Sequence, residues 1–195
     1  MKLSDHFFLH DFLYSNIGNW LGVPNIPDDP DLAIAVGTHL CQDILEPLLQ
    51  KFGPLSIQTG FRSQTLNQAC NQRGLGCSIN ELAYADHIWD HRDGNGHMGG
   101  TVRLIVSGYC DYYARTGEWQ PLAWWVHDQL PYSTLCFFPE LCMVSINWHE
   151  KPQRRIDSYI APKGCLTQAG MANHTGDHSE YYKNLARDLQ AKMTA

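Results

Sequence analysis

Gly53–Asn67, GPLSIQTGFRSQTLN, is the stretch from which the rest of the chain can be ordered. Leu55, Ile57, Thr59 and Phe61 alternate with Ser56, Gln58 and Gly60, the period of two that marks a half-buried strand. Arg62-Ser63 follows without a spacer. Ser63 is placed to accept a backbone N–H and to start a short helix running to Gln72. Strand, turn and helix therefore follow one another directly, and the turn carries an arginine.

On the N-terminal side, Leu32–Phe52 has apolar residues at 32, 36, 40, 44, 45, 48 and 49, a helical stripe that Gly53-Pro54 ends. Pro47 should kink this helix or mark a junction between two pieces. Asp31 is the expected cap, and residues 23–31, VPNIPDDPD, are too rich in proline for regular structure. Residues 3–22 read as one or two short helical turns.

On the C-terminal side, Gly74 and Gly76 make a loop and Asn80–Trp89 reads as a second strand. HRDGNGHMGG (91–100) is a wide turn, and Thr101–Val106 is a β-branched third strand. Helices are expected at Tyr109–Arg115 and Leu122–Asp128. In Leu141–His149, Cys142, Val144, Ile146 and Trp148 share an apolar face. Leu141, Met143, Ser145, Asn147 and His149 share the other, which faces water or a pocket. Beyond Arg155 the chain turns loop-like around Pro162-Lys163-Gly164, and Asp177 with Glu180 forms a capping box for a last helix, Ser179–Met193. Helices first, then strands with helices between, point to an α+β fold, a small antiparallel sheet packed on helices.

With 195 residues the chain fits one domain, 1–195. A formal charge of −6 speaks against a nucleic-acid or anionic-membrane binder, since both need a positive face. No unbroken apolar run approaches the length of a membrane span. Asp5, His6, His10 and Asp11 interrupt the N-terminus where a signal peptide needs an apolar region, so the expected site of synthesis is the cytoplasm, with release or export later. The seven cysteines are odd in number and form no C-x-x-C pair, which reads as buried free thiols; Cys70 and Cys77 flank a loop that a disulfide would close.

Ionisable residues concentrate in Ser78–Asp90, SINELAYADHIWD. Together with LSDHFFLHDFLYS near the N-terminus and GPLSIQTGFRSQTLN, this segment resembles the zinc D-alanyl-D-alanine carboxypeptidase family, in its phage and bacterial cell-wall branch. The likeness covers roughly residues 3–156, leaving 157–195 as an extension with no counterpart. That family has the hedgehog/DD-peptidase fold and a strand ending in Ser/Thr-Gly-Tyr/Phe-Arg-Ser with an Asn four residues on; here these are Thr59, Gly60, Phe61, Arg62, Ser63 and Asn67. Its next motif, Ser-x-His-x-x-Gly-x-Ala-x-Asp, supplies two zinc ligands. Laid on this chain without a gap, it gives Ser78, Asn80 for the His, Ala83 for the Gly, Ala85, and His87 for the Asp. The third ligand, a His on the last strand, falls on Ser145 in one register and on His149 in another.

The resemblance implies metal-assisted hydrolysis of a peptide bond next to a D-amino acid. Three protein ligands would hold Zn²⁺ with an open fourth position, and a carboxylate and an arginine would serve the proton and the oxyanion. Arg62 and Asp86 are the candidates for those last two roles. A neutral amide and a hydroxyl are poor zinc ligands, so the workable set is a shifted one of His87, His149 and Asp90 or Asp86, with His91 and His97 as further candidates that also read as residues of a solvated loop. The rival reading is a pseudoenzyme in which Ser78, Asn80, His87 and Ser145 bind a peptide or protein partner without metal. A third is a structural component of a phage or secretion cluster. Structural alternatives exist residue by residue: His87 as an interior His beside Asp86, and Arg62 pinning its turn to Asp90 or to a carbonyl. Trp124, Trp125, His127 and Asp128 read as helix-borne core aromatics or as a carbohydrate platform. His174 and His178 read as surface residues, and Arg154-Arg155 as a structural basic pair.

Overall fold

The computed structural model describes residues 1–190. Two short helices, α1 (His10–Leu13) and α2 (Asn16–Leu21), lead into the proline-rich loop. Its aspartates decide where the next helix begins. Asp29, not Asp31, accepts the Leu32 N–H, and α3 runs Pro30–Leu40 with proline in its first turn, where a missing N–H costs nothing. The expected break at Pro47 is a π-helical turn, Cys41–Leu45, before α4 (Glu46–Phe52). Pro47 has no N–H to donate to the preceding turn. The helix absorbs this by letting the Glu46 N–H reach back to the Cys41 carbonyl, one residue further than usual.

Leu40, Ile44, Leu45 and Leu48 are fully buried and join one core with Trp89, Val102 and Ile146. Each such side chain contributes about 1.5–3 kcal/mol by leaving water. Among the described residues, Pro30–Phe52 is the one helix long and apolar enough to cross a membrane, and half of its most apolar stretch is buried inside the fold. Glu46 anchors the N-terminus to it, accepting from the Ser4 hydroxyl at 2.7 Å and the His6 N–H at 2.8 Å.

The strand–turn–helix reading of Gly53–Asn67 holds. β1 is Leu55–Thr59, and Ser63 caps α5 (Gln64–Gln72) by accepting the Leu66 N–H. The strand expected at Asn80–Trp89 does not form. Asn80–Ala83 is a helical turn, α6, and the chain then folds back on itself: Ala85 takes a positive φ of 52°, the Ala85 N–H donates to the His91 carbonyl, and the Ile88 N–H donates to that of Ala83.

β2 is Gly99–Val106, two residues longer than expected. Gly99 and Gly100 belong to it because the strand passes against the Ala85 carbonyl, Val36 and Trp89, with no space for a Cβ. Helices α7 (Ser107–Thr116) and α8 (Gln120–Gln129) follow, then β3 (Thr134–Phe138), a 3₁₀ turn, β4 (Met143–His149), β5 (Arg155–Ser158) and β6 (Gly164–Thr167). β3, β5 and β6 were not expected. The sheet has six strands in the order β1-β2-β4-β3-β5-β6, and the β3/β5 pair is parallel, so it is mixed rather than antiparallel throughout. The α+β class stands.

Cys70 and Cys77 form a disulfide, in place of two of the expected free thiols. At the C-terminal end, α9 (Ser179–Tyr182) and α10 (Leu185–Gln190) replace one continuous helix, and Met193 lies outside the described residues. Asp177 accepts the Ser179 N–H and Glu180 pairs with Lys183, so the expected capping box does not form.

Candidate functional site

The alternation of β4 decides where a site can lie. Val144, Ile146 and Trp148 are buried against the helices, while Met143, Ser145, Asn147 and His149 lie on the other face. Cross-strand register continues that second face: Thr101 and Arg103 of β2 sit opposite Asn147 and Ser145, Thr134 and Cys136 of β3 flank them on the other side, and Arg155 and Asp157 of β5 come next. These residues form the floor of a groove made of two adjoining hollows of about 550 and 340 Å³. Asp86 borders both hollows, His87 lines the larger and His149 the smaller.

The folded-back segment 84–91 supplies the wall. The Asp86 carbonyl accepts the Thr101 N–H at 2.8 Å, and the Asp86 carboxylate accepts from the Thr101 hydroxyl. Asn147 donates to the same hydroxyl and to the Ala85 carbonyl. His87 is pinned through its carbonyl, which accepts the Arg62 N–H at 2.8 Å. Its Nδ1 is shut off from solvent and has no hydrogen-bond partner among the described residues. Burial holds the His87 imidazole below its ordinary range; Asp86 opposes this and Arg62 reinforces it. His87 is therefore a neutral imidazole at neutral pH.

Arg103 is the groove's distinctive cation. Its Nε donates to the Ser145 hydroxyl at 3.1 Å and its guanidinium lies 4.4 Å over the Phe138 ring. Arg155 is already committed, bidentate on Asp157 at 2.6 and 2.8 Å and bonded to Gln168. Burial pushes the Cys136 thiol up, which keeps it protonated and inert.

Four of the residues singled out from sequence therefore meet at the groove: Asp86, His87, Ser145 and His149. Four do not. Arg62 lies behind the wall, its Nη1 donating to Asn67 at 2.9 Å, with its pKa lowered by burial and supported by Asp86. Asn80 accepts from Asn67 at 2.8 Å and donates to the Gln64 carbonyl. Ser78 is exposed and offers only its carbonyl, again to Asn67. Asp90 is buried on the opposite side of the segment, where it accepts the Asp28 and Asp29 N–H groups.

The donor set does not fit a three-ligand zinc centre at the expected positions. Asn80 is spent on two hydrogen bonds, Ser145 is held by Arg103, and Nε2 of His149 faces Asp93 at 3.3 Å while its Nδ1 accepts the Lys151 N–H. The shifted set fails too. Among the described residues the group of three whose ligand atoms lie within 4.8 Å of one another is Asp28, Asp90 and His91, which includes neither His87 nor His149. A strand would have put His87 and Asp90 on opposite faces, and the observed turn separates them as well.

Sequence reasoning missed Arg103, although Thr101, Arg103 and Ile105 alternate with Val102, Leu104 and Val106, and that pattern was legible. It also misplaced His178. This residue is buried, donates from Nδ1 to Asp128 at 2.7 Å and stacks 4.1 Å from the Trp124 ring. Arg154 caps the nearby helix end by donating to the carbonyls of His127 and Leu130.

No known family, no curated protein and no solved structure matches this chain.

Proposed function

We propose that this chain is a peptidase-like protein of the hedgehog/DD-peptidase type whose groove binds a peptide through its terminal carboxylate, without a three-ligand zinc centre at the family positions. The ligand class that follows from the resemblance is a cell-wall peptide ending in a D-amino acid. The observation that carries the reading is Arg103. Held by Ser145 and stacked on Phe138, it stands on the floor of the 550 Å³ hollow, with no hydrogen bond at either Nη among the described residues. A guanidinium fixed in this way loses little freedom when a carboxylate pairs with it bidentately. Asp86, in the same hollow and bonded to the Thr101 hydroxyl, supplies a negative charge for an ammonium or amide N–H of the same ligand.

Calorimetric titration with a short peptide ending in D-Ala-D-Ala tests this. The free acid should bind saturably and its C-terminal amide should not. Arg103→Ala should weaken binding by about 2 kcal/mol, roughly thirty-fold. Equal binding of acid and amide, or no binding at millimolar peptide, defeats the proposal. Steady release of D-alanine by zinc-supplemented protein replaces it with a hydrolase.

A further inference from the structure

Asp90 presents a problem that its own hydrogen bonds do not solve. It is 3% exposed, and its Oδ2 accepts the Asp28 N–H at 2.6 Å and the Asp29 N–H at 3.4 Å. Its Oδ1 is buried with no hydrogen-bond partner among the described residues. Buried carboxylate oxygens are nearly always satisfied, and one that is not calls for an ion, a proton or a water. The neighbours answer which. The side chains of Asp28 and His91 also take no hydrogen bond among the described residues, and each of the three residues places a ligand atom within 4.8 Å of the other two. Stacking on Tyr84, with ring centroids 4.7 Å apart and planes 18° apart, fixes the His91 ring. Asp28 is exposed and His91 half-buried, so an ion can enter from solvent while Asp90 forms the closed end.

We propose that Asp28, Asp90 and His91 bind one divalent first-row transition-metal ion. Two carboxylates and an imidazole suit Zn²⁺ or Mn²⁺, whereas Ca²⁺ and Mg²⁺ favour all-oxygen sets. Two negative charges offset the ion's charge, and water fills the positions left open. The ion clamps the proline-rich loop to the segment that carries Asp86 and His87. That loop is already stitched to the Arg62 turn, because Asn25 donates to the Phe61 carbonyl and accepts the Ser63 N–H. The metal thus braces the wall of the groove from behind, and the inference does not depend on what the groove binds.

The test is calorimetric titration of untagged, chelator-stripped protein with ZnCl₂ and with MnCl₂, alongside thermal unfolding. One equivalent of at least one metal should bind, and a hundredfold excess over Kd should raise Tm by roughly 5–10 °C. His91→Ala and Asp28→Asn both alter accessible side chains whose loss leaves Asp90's backbone contacts intact, and each should weaken binding by roughly tenfold or more. His149→Ala should keep the full stoichiometry. No binding of either metal at millimolar concentration overturns the proposal. So does binding that His149→Ala abolishes, or that His91→Ala and Asp28→Asn leave unchanged.

Discussion

Two histidine-bearing regions of this protein look alike in composition and differ in how their ring nitrogens are used. At the groove, His87 keeps Nδ1 buried and unpartnered beside Asp86 and Arg62. Beneath α9, every polar atom of the His127 and His178 rings has a partner. His127 donates from Nε2 to the His174 carbonyl at 3.0 Å, which leaves Nδ1 to accept from the Tyr132 hydroxyl at 2.6 Å. Nitrogens of His178 face Asp128 and the Asn173 carbonyl, and Asp128 also accepts the His178 N–H and the Tyr182 hydroxyl. A completed network fastens one element to another. An incomplete one marks a place built for something else, because an unpaired buried polar atom costs stability that only a further role would sustain.

The comparison can be broken at Asp128. Asp128→Ala removes one acceptor from three donors and should destabilise the protein by about 3 kcal/mol in urea unfolding. A loss under about 1 kcal/mol would mean that the C-terminal segment is not held by this network.

The same substitution made in both regions sharpens the contrast. His127→Leu strips partners from Tyr132 and from the His174 carbonyl and should cost about 2 kcal/mol. His87→Leu removes an unpartnered Nδ1 together with a single backbone hydrogen bond, to Gly60, so it should cost less than His127→Leu, about 1 kcal/mol. Equal losses at the two positions would mean that the two regions use their ring nitrogens alike.

The smallest effect is that of pH. Burial holds both His87 and His127 below the ordinary imidazole range. The unfolded chain therefore takes up protons first as pH falls through about 6.5, and stability should decline from there until the lowered folded values are reached. For each group the slope is no steeper than about 1.4 kcal/mol per pH unit. His127→Leu should flatten the curve measured by urea unfolding between pH 7 and 5. A slope unchanged in that variant would remove His127 from the account.

Much of the scaffold was legible because its signals are local. Ser63 caps the helix it was expected to cap, and Pro47 interrupts the helix where a missing N–H must. The even residues of β4 are buried because alternation is a property of the backbone. The polar face of β4 was recognised as a pocket candidate on the same ground. What failed was reading that depended on distant partners. Short, partly polar segments such as Arg155–Ser158 and Gly164–Thr167 become strands only because β3 offers an edge to the first and the first to the second. Asn80–Trp89 looks like a strand by composition, yet carbonyls within and just beyond it close it into turns.

Composition and hydrophobic period by themselves determined that this chain is α+β, where the long central helix lies, and which face of β4 points away from the core. Tertiary structure alone decided which ionisable residues meet. Asp86 and His87 turn toward the sheet while Asp90 and His91, only a few residues on, turn toward the loop before α3. A turn can send neighbours in sequence to opposite sides, and the partners that settle each direction lie tens of residues away, beyond the reach of any local pattern.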